Sequence, residues 1–425
     1  MLVQAAARRP VRSLVTAFLA WKTFLFLIAA GSLVGGAYDT SSSLALDGSG
    51  NSTGTPTIIA RLTSWDAVYF TKVARRGYLF EQEWAFGCGL PIVVSCLIRG
   101  LSFLGFGDRA WLESAVGILV ANVSHLLSAL VLNSLGRVLL GDDKLALVGA
   151  LLHIISPAGL FLSAPYAEST FALLSFTGYL FFAKSFLVHR ALTRDVQLLL
   201  SGVLFGLATA FRSNGLSHGV PFAWECLHQL AIVPRRRTLE AGRKLIVLGI
   251  GGLCVAAGSV VPQFVAYQRI CAGQDTDGLR PWCQGHLPSI YGFVQQHYWN
   301  NGFLRYWTLS NVPLFNLGAP MLYLMARSGL DLLVETRSKD GRNPGIVRLV
   351  QSAAGAQVMV ATLIFINSHV QIISRVSSGY PLWYLWLARC LFDDARLRIG
   401  NGFVTFMIMY ASIQAVLFAS FLPPA

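Results

Sequence analysis

One carboxylate in the first third of the chain has the surroundings expected of a general base. Asp66 directly follows Trp65 and lies three positions before Tyr69, so aromatic side chains flank it on both sides. A positioned carboxylate can accept the proton of a hydroxyl group, which is a poor nucleophile while it keeps that proton. Aromatic rings offer apolar surfaces on which a sugar face or a hydrocarbon chain can rest. We therefore predict Asp66 as a catalytic base, with Trp65 and Tyr69 beside the substrate.

A simpler role competes with this one. An aspartate immediately before a helix often caps its first turn, and a helix is expected to begin near Ala67. From the residue pattern alone, capping is the better interpretation of Asp66. Capping is likewise the alternative for Glu168, a second carboxylate that we predict to bind substrate.

Two arginines are candidate ligands for a phosphate group. Arg212 and Arg375 each lie at an expected helix end, and a guanidinium binds phosphate through a bidentate fork. Such cations stabilise the charge that develops on a departing phosphate. His369, six positions before Arg375, is a further candidate. The alternative for Arg212 is that it only extends from a helix end toward phospholipid headgroups.

The first loop has no Asp-x-Asp pair that would suggest a bound metal. Its nearest equivalent is Glu81-Gln82-Glu83, on an expected short helix where the two carboxylates would point about 200° apart. We therefore predict a metal-independent site without a cofactor, with Glu81 among the substrate-binding residues. The alternative for Glu81 is a solvated position at the membrane interface.

These residues must be positioned by helices that cross a membrane. The chain has 425 residues, of which 54% are hydrophobic and 12% charged, whereas soluble domains carry about 25% charged residues. Runs of roughly 17 to 25 apolar residues are long enough to cross a bilayer. We predict one all-α polytopic domain over residues 1–425, with about ten to eleven transmembrane helices. The candidate segments are 14–36, 85–105, 112–135, 145–165, 169–188, 196–211, 216–233, 245–266, 307–333, 349–367 and 379–422, the last long enough for two.

The formal net charge of +13 is explained by the membrane topology. The basic residues lie between the apolar runs, as they do when positively charged loops remain in the cytosol. We expect no nucleic-acid partner, since there is no extended basic helix and no metal-finger spacing. The clusters expected in the cytosol lie at 137–144, 184–194, 235–244, 337–348 and 389–398.

If these basic clusters face the cytosol, the helices between them place the remaining polar segments on the opposite, luminal side. Residues 37–105 are expected to form a first luminal loop with an amphipathic segment, in which 84–105 does not fully cross the membrane but dips into it or lies along it. This loop carries a glycosylation acceptor at Asn51. Residues 267–305 form another luminal loop, where Cys271 and Cys283 are candidates for a disulfide.

Several segments together resemble the GPI mannosyltransferase 2 family. They occur in the expected order over about residues 60 to 390. The matching segments are Ser64-Trp65-Asp66-Ala67-Val68-Tyr69-Phe70, Gly77-Tyr78 through Phe86, Ser156-Pro157-Ala158 into Pro165-Tyr166-Ala167-Glu168-Ser169, Phe211-Arg212-Ser213-Asn214-Gly215, Pro281-Trp282-Cys283, Tyr298-Trp299-Asn300-Asn301 through Trp307, and His369-Val370-Gln371 through Arg375. The chain departs from the family at Gly87-Cys88-Gly89-Leu90-Pro91.

The resemblance implies a GT-C type glycosyltransferase in the endoplasmic reticulum membrane, with its active site at the luminal face. The implied reaction transfers the second mannose of the glycosylphosphatidylinositol (GPI) anchor, in α-1,6 linkage, from dolichol-phosphate-mannose to the mannosyl-glucosaminyl-phosphatidylinositol precursor. A β-linked donor and an α-linked product imply a single displacement with inversion. The partners are then these two lipids and the surrounding membrane lipids, and a small accessory membrane subunit is a further candidate. Asn214, Tyr298 and Trp299 lie in matching segments and join the predicted substrate-binding residues.

Two alternatives remain open. Another GT-C mannosyltransferase, acting on a protein or a dolichol-linked acceptor, would share the fold and donor, but it predicts an acidic pair in the first loop. A lipid transporter or scramblase predicts polar residues at mid-membrane depth on repeated helices. No internal repeat is evident in the sequence, and the polar residues gather at one face, so the transporter ranks last.

Overall fold

The computed structural model describes residues 2–34, 56–105, 109, 111–236, 239–272, 280–335 and 343–422. Over these residues the secondary structure consists of α-helices and short 3₁₀ turns, without a β-strand. Asn51 of the predicted glycosylation site lies outside the described residues. The α-helices are α1 (Leu2–Ala7), α2 (Pro10–Gly31), α3 (Thr57–Leu62), α4 (Ala67–Arg76), α5 (Gly89–Phe103), α6 (Leu112–Leu140), α7 (Asp143–Ile154), α8 (Glu168–Ser185), α9 (Ala191–Phe211), α10 (Gly219–Arg236), α11 (Leu239–Ile270), α12 (Ile290–His297), α13 (Val312–Glu335), α14 (Pro344–Asn367), α15 (Ile373–Val376), α16 (Leu382–Cys390) and α17 (Leu397–Ala419).

The helix lengths confirm an all-α polytopic membrane protein. Among the described residues, seven helices are long and apolar enough to cross a membrane: α2, α6, α9, α11, α13, α14 and α17. Helix α5 has 15 residues and is about 22 Å long, less than a hydrocarbon core of about 30 Å. This length fits the expectation that the chain near residues 84–105 does not cross fully. The total of ten to eleven spans stays a prediction.

The predicted segment 145–165 is not one helix. Helix α7 ends at Ile154, and a 3₁₀ turn follows at Gly159–Leu162. Pro157 explains the break, because the ring of a proline disfavours helical geometry in the residue before it. The irregular stretch between α7 and α8 is buried, and Lys22 Nζ supports it by donating to the Leu162 carbonyl oxygen at 3.2 Å and to Ser163 Oγ at 2.6 Å. The side chains of Lys22 and Ser169 thus satisfy a backbone oxygen in this irregular stretch.

Glycines allow α9 and α11 to pack with their backbones in contact. A Cβ atom on Gly206 would lie 2.3 Å from the Cys254 carbonyl oxygen, and one on Gly202 would lie 2.5 Å from the Gly251 Cα atom. Small residues spaced four apart permit this close approach between membrane helices. The contact fixes the end of α9, where Arg212 leaves the helix.

Ion pairs join the predicted cytosolic segments at one end of the helix bundle. Glu225 of α10 accepts from Lys244 Nζ of α11 at 2.8 Å and from Arg348 Nε of α14 at 2.8 Å. Asp195 of α9 pairs with Arg243 of α11 at 2.8 Å. We call this the basic end, and the opposite end, where α4, α9 and α15 meet, the site end.

Helix α4 is amphipathic, as predicted for the first loop. Ala67, Phe70, Val73 and Ala74 are buried on one face, while the basic residues of its last turn are exposed. Glycine at position 77, with φ of 78°, then reverses the chain. The helix is therefore held against the bundle by apolar contacts on a single side.

A polar cluster fastens the following turn to the chain segment at 280–298. Glu81 accepts from Arg280 Nε at 2.8 Å and Nη2 at 2.6 Å, from Trp282 Nε1 at 2.9 Å and from the Tyr298 hydroxyl at 3.2 Å. We call these four residues the loop clamp. Glu83 points elsewhere, to Arg76 Nη2 at 2.6 Å, so the two glutamates do not share a ligand.

Hydrogen bonding keeps the loop clamp charged at neutral pH. Burial alone would raise the pKa of Glu81, but hydrogen bonds from Arg280, Trp282 and Tyr298 outweigh it and lower the pKa below its ordinary value. A pKa that is lower in the folded state adds stability above the usual glutamate range, and this stability is lost as the pH falls through the lowered pKa. The clamp is therefore a neutral-pH contact.

A disulfide joins Cys271 and Cys283, which confirms the predicted bridge. Both cysteines are buried in a small core with Trp84, Trp282 and Ile290. Trp282 belongs both to this core and to the loop clamp, so the bridge and the ion pair stabilise the same segment.

The α9–α11 contact gives a stability test. Gly206→Leu should lower the free energy of unfolding by about 1–3 kcal/mol, since the larger side chain overlaps the backbone of α11. Gly249→Leu on the exposed side of α11, where a Cβ atom meets nothing within 4 Å, is the matched control. Thermal melting of the detergent-solubilised protein measures both. Equal melting temperatures for the two variants would contradict the contact.

A charge swap tests the loop clamp. Glu81→Arg should expose the Cys271–Cys283 bridge and speed its reduction by an added thiol, because Arg280 then faces another cation. Arg280→Glu should act in the same direction, and the double swap should slow reduction again. The readout is thiol labelling after the free cysteines have been blocked. A double variant no slower than either single one would show that the pair does not hold the loop.

Candidate functional site

A cavity of about 580 Å³ opens at the site end. Its walls come from α4, the turn after Trp84, the ends of α9 and α14, the segment 291–301 and α15. The lining includes Asp66, Phe70, Phe86, Arg212, Asn214, Gln295, Trp299, Asn301, Asn367, His369 and Arg375. Segments that are distant in sequence and that were predicted to share one membrane face therefore meet around one space.

Asp66 binds an arginine and does not cap its helix. The residue occupies the N-cap position of α4, but its side chain makes no capping hydrogen bond. Its Oδ2 atom instead accepts from Arg375 Nη1 at 3.1 Å, and the side chain is 35% exposed. Asp66 thus faces the cavity with a cation attached, and the capping alternative has no support in the geometry.

Glu168 connects the two predicted phosphate ligands. Its Oε1 atom accepts from Arg375 Nε at 2.8 Å and also from Arg212 Nη1. The side chain is fully buried at the first turn of α8. Among the described residues, its Oε2 atom has no hydrogen-bond partner. Glu168 is absent from the lining of the cavity and orients both guanidinium groups from behind it.

The end of α9 is held by a second set of polar contacts. Arg212 Nε donates to Asn214 Oδ1 at 3.2 Å, and Asn214 Nδ2 donates to the Tyr380 hydroxyl at 3.2 Å. Gly87 and Gly89 permit this packing, because a Cβ atom on either would overlap Phe211. These glycines belong to the stretch in which the sequence departs from the family pattern, so the departure brings that turn against α9.

Arg375 remains charged in its buried position. Burial alone would lower its pKa, but the charges of Glu168 and Asp66 offset this effect and raise the pKa above the ordinary value. The guanidinium carbon also lies 4.3 Å from the centre of the Phe161 ring and 4.8 Å from that of Tyr166, where cation–π attraction holds it.

Each arginine keeps donors for a ligand. Among the described residues, no acceptor binds Nη2 of Arg212 or Nη2 of Arg375. The two carboxylates and two guanidiniums have a formal sum of zero. An added phosphate would find two fixed cations with free N–H groups.

His369 and Trp299 belong to another wall of the cavity. His369 Nε2 lies 3.0 Å from the Trp299 carbonyl oxygen, and its ring stacks on Tyr306 at 4.7 Å between centroids. The Trp299 ring meets Phe86 edge to face at 5.3 Å. This wall has no carboxylate or guanidinium in its lining.

Five predicted substrate-binding residues do not line this cavity: Glu168, described above, and Trp65, Tyr69, Glu81 and Tyr298. Trp65 stacks on Phe421 at 4.6 Å, and Tyr69 stacks on Phe86 at 5.1 Å without lining the space. Glu81 and Tyr298 belong to the loop clamp described above. Their roles in substrate binding stay predictions, and their contacts in this structure are with protein groups.

Most neutral residues of the lining were not predicted from the sequence. Gln295, Asn301, Asn367 and Phe86 carry no charge that would draw attention to them. The nearest signal was the density of aromatic residues around Tyr298–Trp307, which does not identify an amide.

Comparison with solved structures gives only weak similarity. The chain matches the archaeal oligosaccharyltransferase AglB from Archaeoglobus fulgidus, solved with an inhibitory peptide and a dolichol-phosphate, at 13% identity and a TM-score of 0.43. The match covers 94% of this chain and 56% of that structure. The apo form gives 15% identity, the same coverage and the same TM-score. The chain thus spans just over half the length of these structures, and the similarity is too low to assign a site.

Comparison with curated sequences is far stronger. Over 98% of this chain and 96% of the relative, it is 52% identical to a protein of Chaetomium globosum named GPI mannosyltransferase 2. Proteins with the same name in Gibberella zeae and Yarrowia lipolytica are 44% and 35% identical over 98% and 97% of the chain, and over 98% and 99% of their own length.

A family model agrees with these relatives. The model described as Mannosyltransferase (PIG-V) matches residues 37–339, a range that includes Asp66, Glu168, Arg212 and Trp299. The chain belongs to the PIG-V mannosyltransferase family and is a glycosyltransferase.

Proposed function

We propose that this chain transfers the second mannose of the GPI anchor, in α-1,6 linkage, from dolichol-phosphate-mannose to the mannosyl-glucosaminyl-phosphatidylinositol precursor. One observation carries the proposal: Asp66 and Arg375 meet at 3.1 Å on the wall of a cavity, and Arg375 shares Glu168 with Arg212. A base candidate therefore lies beside two cations suited to a lipid phosphate.

The arginines receive the donor. The phosphate of dolichol-phosphate-mannose binds the free Nη2 groups of Arg212 and Arg375, while Glu168 keeps both guanidiniums in place. As the bond from the sugar C1 atom to the phosphate oxygen breaks, the bonding electrons move to that oxygen, and the phosphate gains negative charge. Preorganised cations stabilise this charge with little rearrangement.

Asp66 receives the proton. The 6-hydroxyl group of the acceptor attacks C1 from the face opposite the phosphate, a new C–O bond forms, and the hydroxyl proton moves to the carboxylate. Among the described residues, no donor occupies Asp66 Oδ1, which makes that atom the candidate acceptor of the proton. Inversion converts a β-linked donor into an α-linked product in one step, without a covalent enzyme intermediate.

The names of the relatives support the proposed acceptor, and the charge distribution supports the proposed compartment. Several curated relatives carry the name GPI mannosyltransferase 2. We infer that the basic end faces the cytosol, since Lys and Arg favour that side, and that the site end faces the lumen of the endoplasmic reticulum. Exposed Phe303 and Leu309 near the site end suit contact with membrane lipids. A small accessory membrane subunit remains part of the proposal.

Transfer from labelled dolichol-phosphate-mannose to a one-mannose GPI precursor in microsomes tests the reaction. Asp66→Asn should reduce the rate by about 100-fold or more, since the amide cannot accept the proton. Asp143→Asn, an exposed carboxylate paired with Arg137 at 2.6 Å, is the matched control and should keep wild-type activity. Near-normal transfer by Asp66→Asn at equal protein level would exclude Asp66 as the base.

Metal independence is a separate part of the proposal. Within the described ranges, no three His, Cys, Asp or Glu side chains lie close enough to hold a metal ion. Treatment with EDTA should leave most of the transfer activity in place, because the arginines take the phosphate charge. A loss that added Mg²⁺ or Mn²⁺ restores would overturn this part and leave the reaction itself standing.

A further inference from the structure

The turn after α12 is held in a strained shape at the cavity wall. Asn300 and Leu304 have φ angles of 50° and 55°, in the left-handed region that side chains rarely adopt. Backbone bonds fasten the turn to the end of α14: Gly302 N donates to the Asn367 carbonyl oxygen at 3.0 Å, and Leu304 N to that of Ile366 at 2.7 Å. Strain of this kind persists where the surrounding contacts enforce it, and it is concentrated at ligand sites.

This turn brings an aromatic ring and two amides to one wall. Trp299 and Asn301 line the cavity together with Gln295 of α12. The Asn301 Nδ2 atom donates to Gln295 Oε1 at 2.6 Å, which fixes the two amides against each other. Asn301 Oδ1 is buried and, among the described residues, has no partner. A buried acceptor without a protein partner calls for a donor from outside the chain, such as a water or a ligand hydroxyl.

The chemistry of this wall suits an uncharged hexose. An indole ring packs against the apolar face of a sugar, and carboxamides both donate to and accept from its hydroxyl groups. The charged residues Asp66, Glu168, Arg212 and Arg375 are paired with one another at a different wall of the cavity. The wall that carries Trp299 has no carboxylate or guanidinium. Apart from the imidazole of His369, this wall offers no basic side chain to a phosphate.

We propose that Gln295, Trp299 and Asn301 form the subsite for the terminal hexose of the acceptor. This inference rests on the proposed function and deepens it. The same chemistry would suit the hexose of the donor, but that sugar is bonded directly to the phosphate and lies beside Arg212 and Arg375. In an inverting displacement the attacking hydroxyl approaches from the side opposite the phosphate, which leaves the neutral wall for the acceptor.

Steady-state kinetics show whether these residues bind the acceptor sugar or the donor sugar. Gln295→Ala and Asn301→Ala should each raise the KM for the one-mannose acceptor by about tenfold, as expected for a lost ligand hydrogen bond. The KM for dolichol-phosphate-mannose should change less than twofold. Gln229→Ala, an amide that bonds Glu225 at the basic end, is the control and should leave both constants unchanged.

Melting temperatures of the purified variants show whether each one folds. If Asn301→Ala disturbs the strained turn, Gln295→Ala alone tests the subsite, because Gln295 lies within helix α12 and outside that turn. A rise in the donor KM with the acceptor KM unchanged would overturn the subsite and assign these residues to the donor. Unchanged constants in the folded variants would also overturn it, with wild-type transfer still supporting the proposed function. Failure of the wild type to use this acceptor would remove both.

Discussion

The site depends on one buried carboxylate, Glu168, which binds two arginines that are 44 and 207 positions away in sequence. A charge inside a membrane protein is costly unless it is paired, and removing one partner of such a group leaves the other uncompensated. Glu168 therefore ties α8, α9 and α15 together at one point. It also prevents the two like charges of Arg212 and Arg375 from separating into solvent, so the cations face the cavity before any ligand arrives.

The scaffold around Glu168 protects this arrangement in two ways. Glycine contacts between α9 and α11 fix the helix end from which Arg212 leaves, and Lys22 supports the irregular chain that precedes Glu168. Backbone outside a helix is tolerated at membrane depth only where protein groups satisfy it. On the other side of the cavity, the loop clamp and the disulfide brace the segment that carries Trp299. The irregular parts of the chain are thus the ones that form the site, and each is held by a named polar contact.

The cavity divides its chemistry between walls. Charged groups gather where Asp66, Arg212 and Arg375 meet, which suits proton and phosphate chemistry, whereas the wall of Gln295, Trp299 and Asn301 is neutral. This separation matters for a transferase, because the leaving group needs positive charge and the acceptor sugar needs directional hydrogen bonds. A cation placed beside the acceptor would stabilise the ground state as well as the transition state and would add little to the rate.

The sequence by itself determined the membrane class, most of the helices, the candidate disulfide and the charged candidates. Long apolar runs are found where a chain crosses a membrane, and a charge close to such a run is costly to place, so both patterns can be read from one sequence. Only the tertiary structure decided how those charges pair: Asp66 with Arg375 in place of a helix cap, and Glu168 behind the cavity. It also placed Trp65 against Phe421 and broke the segment 145–165 at Pro157. Of the neutral wall only Trp299 was predicted from the sequence, since uncharged amides such as Gln295 and Asn301 gain a role only when folding brings distant segments around one space.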